Sequence, residues 1–194
     1  GSPMLEGAKK MLFIPDLLNY FLTGIMGSEY TITSTSQMYS YKSKGWAKDL
    51  LSKLSIPTEI LTDIIDTGTV LGGLKRDVSE ELGIGSIPVI AVAEHDTGSA
   101  VVSVPAEKGR YAYLSSGTWS LLGIEAEAPI INETTFKLNY TNEGGMNRTV
   151  RLLKNIMGLW IYQECKRSWD KKGEVLGFDE LEQMAIREKP FLAF

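Results

Sequence analysis

The spacing of apolar and polar positions predicts a chain of short helices and strands. Residues 15–23 are expected to form a helix, with Pro15 in its first turn and Gly24 closing it. Four further segments carry apolar residues at helical spacing, which predicts helices over 46–54, 58–65, 151–169 and 178–188. In the third of these the apolar positions recur on one side, so that helix is expected to be amphipathic.

A nearly unbroken apolar run, residues 87–93, is typical of a strand buried on both faces of a parallel sheet. Small apolar residues follow at 97–104, which predicts a closely packed helix that stops before Pro105. The polar stretch 31–37 is poor in core residues and is expected to be a loop that meets a ligand. The chain is therefore predicted to be an α/β protein.

The type of predicted secondary structure changes near Glu107-Lys108-Gly109. Residues 111–115 and 119–125 have strand composition and flank Ser116-Gly117-Thr118, which predicts a hairpin where helices and a buried strand came before. We place a domain boundary here, giving predicted domains 4–106 and 107–194. Residues 1–3 are interpreted as a cloning remnant rather than a signal peptide, because no apolar segment of the signal-peptide kind follows.

Composition indicates a globular protein and argues against a nucleic-acid partner. Hydrophobic residues make up 43% of the 194 residues and charged residues 23%, and the net charge is −4. A nucleic-acid-binding face needs clustered positive charge, and the densest basic group here is short enough to be a solvated helix end. That group comprises Lys166, Arg167, Lys171 and Lys172.

The cysteine and histidine content argues against disulfides and Cys/His metal sites. Cys165 is the single cysteine, so an internal disulfide is impossible, and with one histidine no Cys/His metal-ligand spacing exists. No apolar run approaches the roughly 18 residues of a membrane span. A soluble protein of the reducing cytosol is expected.

Two Asp-Thr-Gly triplets raise the possibility of an aspartic protease, in which two carboxylates share a proton. Asp66-Thr67-Gly68 and Asp96-Thr97-Gly98 lie only 30 positions apart, too close for one β-lobe around each, and the chain is rich in helical patterns. The first triplet could also imitate an ATPase phosphate loop, but it is expected to follow a helical segment and run into Gly72-Gly73. A structural turn is the favoured interpretation.

Asp96 follows the predicted buried strand and begins a predicted helix, so it lies at the carboxyl end of a strand. Open α/β sheets bind their ligands at this edge. Composition alone leaves open whether Asp96 is a helix cap or a catalyst, and whether His95 is structural. Residues 115–118 could form an anion-binding nest of backbone N–H groups or a plain hairpin turn.

Seven segments in order resemble the FGGY carbohydrate kinases. They are IPDLLNYFLTG (14–24), TSTSQMY (33–39), GTVLGGL (68–74), IPVIAVAEHDTGSAVVSVPA (87–106), YLSSGTWSLLGIE (113–125), TNEGG (141–145) and LLKNIMGLW (152–160). The resemblance implies part of an actin-like, ribonuclease H-like ATPase fold, from the end of a sugar-binding domain into a nucleotide-binding domain. HDTGSA, SSGTWSLLG and KNIMGLW favour the members that phosphorylate L-rhamnulose over kinases of xylulose, glycerol or gluconate.

The resemblance implies ATP-dependent phosphorylation of the 1-hydroxyl of L-rhamnulose. Asp96 is then the proton acceptor and His95 a sugar contact, and Gly117 and Thr118 belong to an ATP phosphate loop. Asn155 and Gln163 match nucleotide-contacting positions. On the predicted helix 151–169 their side chains would lie within roughly 80° of each other, although a structural polar stripe remains an alternative.

The sequence also departs from the family pattern. The early Asp-x-Gly-Thr phosphate loop with its acidic Mg²⁺ contacts, and the glycine-rich adenosine site, are not in this sequence, so the chain alone is expected to be a poor enzyme. Gly98 and Thr33 stand where alanine is usual. A kinase of another ketose such as L-fuculose, and a non-catalytic sugar-sensing module, remain alternatives. The oligomeric state is open.

Overall fold

The computed structural model describes residues 3–106 and 111–190, which divide between two compact units. The first consists of Gly1–Ser115 and Leu122–Lys154, and the second of Ser116–Leu121 and Asn155–Phe194. The domain boundary predicted at residues 106 and 107 adjoins residues 107–110, outside the described residues. It stays a prediction.

The helices are short, with 5 to 12 residues each. In chain order they are α1 (Pro3–Gly7), α2 (Ile14–Thr23), α3 (Tyr30–Thr35), α4 (Lys48–Lys53), α5 (Arg76–Leu82), α6 (Asp96–Val102), α7 (Glu133–Lys137), α8 (Trp160–Lys171) and α9 (Phe178–Arg187).

Within residues 3–106 and 111–190 the strands form three two-stranded pairs and one four-stranded sheet. In chain order they are β1 (Ser28–Glu29), β2 (Tyr39–Ser40), β3 (Gly45–Trp46), β4 (Ile64–Ile65), β5 (Val70–Gly73), β6 (Pro88–Ile90), β7 (Ala112–Ser116), β8 (Trp119–Ala126), β9 (Thr141–Gly144) and β10 (Val150–Met157). β1 pairs with β4 in parallel, whereas β2–β3, β5–β6 and β9–β10 are antiparallel. The order in the large sheet is β7-β8-β10-β9.

Several predicted elements are confirmed. α2 begins beside Pro15 and ends at Gly24, whose φ of 77° is the left-handed conformation that glycine adopts without steric cost. α9 matches the predicted helix 178–188, and α6 matches the helix after His95. β7 and β8 form the predicted hairpin strands around residues 117 and 118.

The loop predicted at residues 31–37 is wrong over most of its length, because α3 occupies Tyr30–Thr35. The Glu29 carboxylate caps this helix by accepting the N–H groups of Thr31 and Ile32. Three of its serine and threonine residues are buried, namely Thr31, Thr33 and Ser34. A glutamate cap lies outside the usual set of capping residues, so the sequence did not signal this helix.

The helix predicted at 58–65 is also wrong. This segment turns and then forms β4, which pairs in parallel with β1 in the register Ser28 to Ile64 and Glu29 to Ile65. The β-branched pair Ile64-Ile65 favours a strand once a partner strand is available.

Residues 87–93 do not form a strand buried on both faces of a parallel sheet. β6 covers Pro88–Ile90 and pairs antiparallel with β5. Ala91 and Ala93 are buried, whereas Ile90 and Val92 are 48% and 60% exposed. The side chains therefore alternate between a covered and an uncovered face, as successive residues of extended backbone must.

The helix predicted at 151–169 is half correct. Residues 150–157 form strand β10, and helix α8 begins only at Trp160. β10 lies inside the four-stranded sheet between β8 and β9, and its burial changes along the strand, from buried Val150 and Arg151 to exposed Ile156 and Met157, rather than alternating. In the described residues no helix is both long enough and apolar enough to span a membrane.

Candidate functional site

Asp96 is the first residue of α6, and its side chain is 97% exposed. One carboxylate oxygen, Oδ1, accepts the N–H of Thr97 at 2.6 Å. The rest of the carboxylate faces solvent and is accessible to a small molecule. The start of a helix is where the sequence predicted Asp96, although strand β6 ends at Ile90 rather than at residue 93.

His95 lies beside Asp96 and is mostly buried, with 21% of its side chain exposed. Its ring nitrogen Nε2 is 3.6 Å from Oδ1 of Asp96. The other ring nitrogen, Nδ1, lies 2.9 Å from Nη2 of Arg151 and 3.3 Å from Oε2 of Glu143. The ring therefore joins the exposed carboxylate to a buried ion pair.

Arg151 and Glu143 are brought together by the antiparallel register of β9 and β10, in which they are direct partners. Arg151 is fully buried and Glu143 is 12% exposed, and Nη2 lies 3.3 Å from Oε2. Arg151 also donates from Nε to the carbonyl of Gly144 at 2.9 Å. A buried guanidinium needs such partners, because an unpaired buried charge is strongly destabilising.

The Glu29 carboxylate connects three segments close to His95. Its Oε2 accepts the N–H of Thr31 at 2.8 Å and the N–H of Glu94 at 3.2 Å. Its Oε1 accepts the hydroxyl of Thr67, the middle residue of the first Asp-Thr-Gly triplet. The buried glutamate thereby fixes the backbone leading to His95.

The first triplet is a turn, as predicted. It follows strand β4 rather than a helix, however, which corrects that part of the expectation. Asp66 accepts a hydrogen bond from Arg148, and the hydroxyl of Thr67 donates one to Glu29. Both side chains have structural partners.

Buried Asp16 and half-buried Glu94 form an acidic pair near the site. Burial, followed by hydrogen bonding to Asp16 and the negative charges of Asp16 and Glu29, raises the pKa of Glu94 to about 9. Burial likewise raises the pKa of Asp16, which accepts the N–H of Glu29 at 2.9 Å. Asn19 donates its amide to Oε1 of Glu94. Glu94 is therefore the member that holds a proton at neutral pH.

In the second unit, the turn after β7 is joined to the start of α8. The carbonyls of Gly117 and Thr118 accept the N–H groups of Leu159 and Trp160 at 2.9 and 3.1 Å. A Cβ at Gly158 would lie 2.4 Å from the Gly117 carbonyl oxygen, so glycine permits this close approach. The Thr118 side chain is exposed.

The four predicted ATP contacts all belong to this unit but lie on different elements. Gly117 and Thr118 form the turn, Asn155 is exposed on β10, and Gln163 is half-buried on α8. The prediction that Asn155 and Gln163 lie on one helix is wrong. The angle of roughly 80° between their side chains, which assumed that helix, therefore does not apply. The Gly117 N–H donates to the Trp119 carbonyl at 3.1 Å, which is the plain hairpin arrangement rather than a nest.

Sequence reasoning missed most of the buried polar groups around Asp96. The missed residues are Asp16, Asn19, Glu29, Thr31, Glu94, Glu143 and Arg151. A signal was present for Glu143, which lies in the quoted segment TNEGG, and for Glu94, which precedes His95. No signal was present for Arg151, which was predicted to begin the amphipathic helix 151–169.

The part of the chain that the structure describes contains no group of three histidine, cysteine, aspartate or glutamate side chains arranged to hold a metal ion. The described residues therefore offer no cage of protein ligands, whereas Mg²⁺ at nucleotide sites is usually bound by one or two carboxylates together with the phosphates.

Comparison with protein families matches both parts of the chain. Residues 3–103 match the N-terminal domain of the FGGY family of carbohydrate kinases, and residues 112–194 match its C-terminal domain. The two matches together cover nearly all of the sequence.

Curated relatives include rhamnulokinases. That of Bacteroides thetaiotaomicron is 49% identical over 165 residues, covering 85% of this chain and 34% of the relative. That of Ligilactobacillus salivarius is 42% identical over 191 residues, covering 98% and 39%. The chain thus spans between a third and two fifths of the length of these relatives.

Solved structures give the fold. Xylulose kinase from Lactobacillus acidophilus superposes with a TM-score of 0.68 at 21% identity, covering 82% of this chain and 32% of that one. Plasmodium falciparum glycerol kinase with ADP gives 0.65 at 16% identity, covering 84% and 32%. The fold is therefore part of the actin-like, ribonuclease H-like ATPase fold, as predicted.

Proposed function

The chain belongs to the FGGY family of carbohydrate kinases, and on that premise we propose that it supplies the catalytic base of an ATP-dependent L-rhamnulose kinase. The product is L-rhamnulose 1-phosphate. The observation that carries this proposal is the 49% identity to a protein named rhamnulokinase. The solved neighbours support the kinase fold alone.

Asp96 is proposed as the base that receives the proton of the sugar hydroxyl. The 1-hydroxyl oxygen bonds to the γ-phosphorus of ATP, the bond from that phosphorus to the oxygen of ADP breaks, and the proton passes to Asp96. Phosphoryl transfer has a loose transition state, so the base mainly orients the hydroxyl and takes its proton late. The open carboxylate at the start of α6 suits this role because substrate can reach it.

His95 is proposed as a sugar contact through Nε2, the ring nitrogen on the side of Asp96. Gly117, Thr118, Asn155 and Gln163 are proposed as contacts of ATP. Support for Thr118 comes from its exposed side chain on a turn whose carbonyls are tied to α8. Mg²⁺ is proposed to enter with the phosphates of ATP, which are its usual partners in kinases.

The 194-residue chain by itself is proposed to be a poor kinase. It spans about a third of the rhamnulokinases that it matches, so the whole activity belongs to a protein that carries this segment together with the rest of such a kinase. We refer to that protein as the whole kinase.

The proposal is tested by measuring kcat/KM of the whole kinase for a panel of ketoses with ATP. The kcat/KM for L-rhamnulose is expected to exceed the values for L-fuculose and D-xylulose by at least about tenfold, which is the discrimination that one or two pocket contacts provide. A higher kcat/KM for L-fuculose would change the proposed substrate and leave the proposed reaction unchanged. Sugar binding without phosphorylation of any ketose would indicate a sensing module and overturn the proposal.

A further inference from the structure

The hydrogen-bonding chemistry of arginine restricts the proton on His95. Arginine has only donors and stays charged in proteins. Nη2 of Arg151 lies 2.9 Å from Nδ1 of His95, a normal hydrogen-bond length. In the neutral ring, therefore, Nδ1 accepts this bond and the proton lies on Nε2.

Glu143 is the competing partner. Its Oε2 lies 3.3 Å from Nδ1 of His95 and 3.3 Å from Nη2 of Arg151. If it bound the ring directly, Nδ1 would carry the proton and donate it, leaving Nε2 without one. The shorter contact belongs to Arg151, and the carboxylate then balances the buried guanidinium charge.

Two contacts besides the histidine ring hold the guanidinium in place. Nε is bonded to the Gly144 carbonyl, and Arg151 pairs with Glu143 across the sheet. An ideal Cβ on Gly98 would lie 3.6 Å from Nη2, so the first turn of α6 leaves room for one methyl group beside the guanidinium. The same helix begins with Asp96.

We propose that Arg151 is a positioning residue that holds neutral His95 in the tautomer with its proton on Nε2, while Glu143 balances the charge of Arg151. The consequence for catalysis rests on the proposed function. Nε2–H then donates a hydrogen bond to an oxygen of the sugar whose hydroxyl Asp96 deprotonates. In the opposite tautomer Nε2 would be only a hydrogen-bond acceptor, and it could not donate to a carbonyl or ring oxygen of a ketose.

The tautomer can be read directly, because His95 is the single histidine of the chain. The 194-residue protein labelled with ¹⁵N in histidine should give one pair of ring nitrogen signals. We expect the shifts and proton couplings of the Nε2–H form in the neutral ring. Signals of the Nδ1–H form in the unsubstituted protein would overturn the proposal, whatever the variants do.

Two variants separate the roles of the pair. Arg151→Met removes the obligate donor and leaves Glu143 as the partner of Nδ1, so the tautomer is expected to change to Nδ1–H. Glu143→Gln is the matched control, because Arg151 remains and the Nε2–H form should persist. A folded Arg151→Met protein that keeps the Nε2–H form would contradict the proposal. If that variant does not fold, a change of tautomer in Glu143→Gln would contradict it equally.

Kinetics of the whole kinase distinguish positioning from a purely structural role. Arg151→Met should raise the KM for L-rhamnulose on the order of tenfold, the effect of one lost hydrogen bond, and leave the KM for ATP within about twofold. Equal changes in both constants would indicate a structural role alone. If the unsubstituted whole kinase phosphorylates no ketose, the proposed function fails, while the tautomer assignment is still decided by the nitrogen spectra.

Discussion

The hydroxyl oxygen of Thr31 accepts the main-chain N–H of His95 at 3.1 Å, across 64 residues of sequence. The same hydroxyl donates to Oε2 of Glu29 at 2.5 Å, so it is held in an orientation that leaves its lone pairs toward His95. A buried helix that the sequence indicated as a loop thus fixes the backbone immediately before Asp96.

Replacing Thr31 by valine is expected to destabilise the protein by about 1–3 kcal/mol, because the N–H of His95 loses its acceptor in a buried place. Valine keeps the shape of threonine, so packing is little changed. Urea denaturation measures the free energy of unfolding. The control is Thr35→Val, which removes a local bond to the Ile32 carbonyl on a half-buried residue and should cost within about 0.5 kcal/mol. Equal losses in the two variants would show that the bond to His95 is unimportant.

Gly98→Ala is expected to stabilise the protein by about 0.5–1 kcal/mol, because alanine is the better helix former. An added Cβ would make ordinary contacts of 3.6 Å with Ala93, Arg151 and Thr31. Gly144→Ala is the contrasting variant, since its Cβ would lie 2.7 Å from the ring of buried Tyr30. Thermal unfolding should show a rise in Tm for the first and a fall for the second. A fall in both would mean that α6 packs more tightly on Arg151 than described.

Stability should decrease with rising pH through the Glu94 side chain. Burial and its acidic neighbours raise the pKa of Glu94 from 4.5 to about 9 in the folded protein. Between these values the folded state holds a proton that the unfolded state has released, so the free energy of unfolding falls as pH rises. The raised pKa of Asp16 acts in the same direction.

Glu94→Gln should flatten this dependence, because glutamine keeps the polar contacts and does not titrate. Its gain over the unsubstituted protein should be larger at pH 9 than at pH 5, measured by urea denaturation. The same change at exposed Glu81 provides the control. If Glu94→Gln and Glu81→Gln have the same pH slope, then Glu94 is not the group that holds the proton.

Thr118→Val in the whole kinase is expected to raise the KM for ATP by roughly 5- to 150-fold, the effect of losing a hydrogen bond worth about 1–3 kcal/mol. The KM for L-rhamnulose should change little, and so should Tm, since the side chain is exposed. Ser116→Ala removes a neighbouring exposed hydroxyl and serves as the control. A lower Tm with unchanged ATP kinetics would make Thr118 part of the scaffold.

The local part of the site was predictable from the sequence, since His95 and Asp96 are adjacent and the helix they begin has a clear composition. The polar network beneath them was not. Arg151 is buried because Glu143 and the Gly144 carbonyl face it from another strand, and such a register cannot be deduced from periodicity. Apolar spacing at 152, 153, 156 and 157 fits a helix as well as it fits the sheet strand that forms.

The same limit applies to α3 and β4. Thr31, Thr33 and Ser34 are buried in a helix that Glu29 caps, and the hydroxyls of Thr31 and Ser34 donate to Glu29 and to the Thr31 carbonyl, which reverses the usual association of polar stretches with loops. Ile64 and Ile65 become a strand because β1 lies beside them. In each case a partner distant in sequence overrides the local preference.

The most direct test of the central claim is the rate at which the whole kinase with Asp96→Asn forms L-rhamnulose 1-phosphate from L-rhamnulose and ATP. Asparagine keeps the size of aspartate and cannot accept the proton. The account predicts that kcat falls by about 10²–10⁴-fold, the usual contribution of a general base, while the Kd for ATP changes by no more than a few-fold. Turnover comparable to that of the unsubstituted enzyme would contradict the assignment of Asp96 as the base.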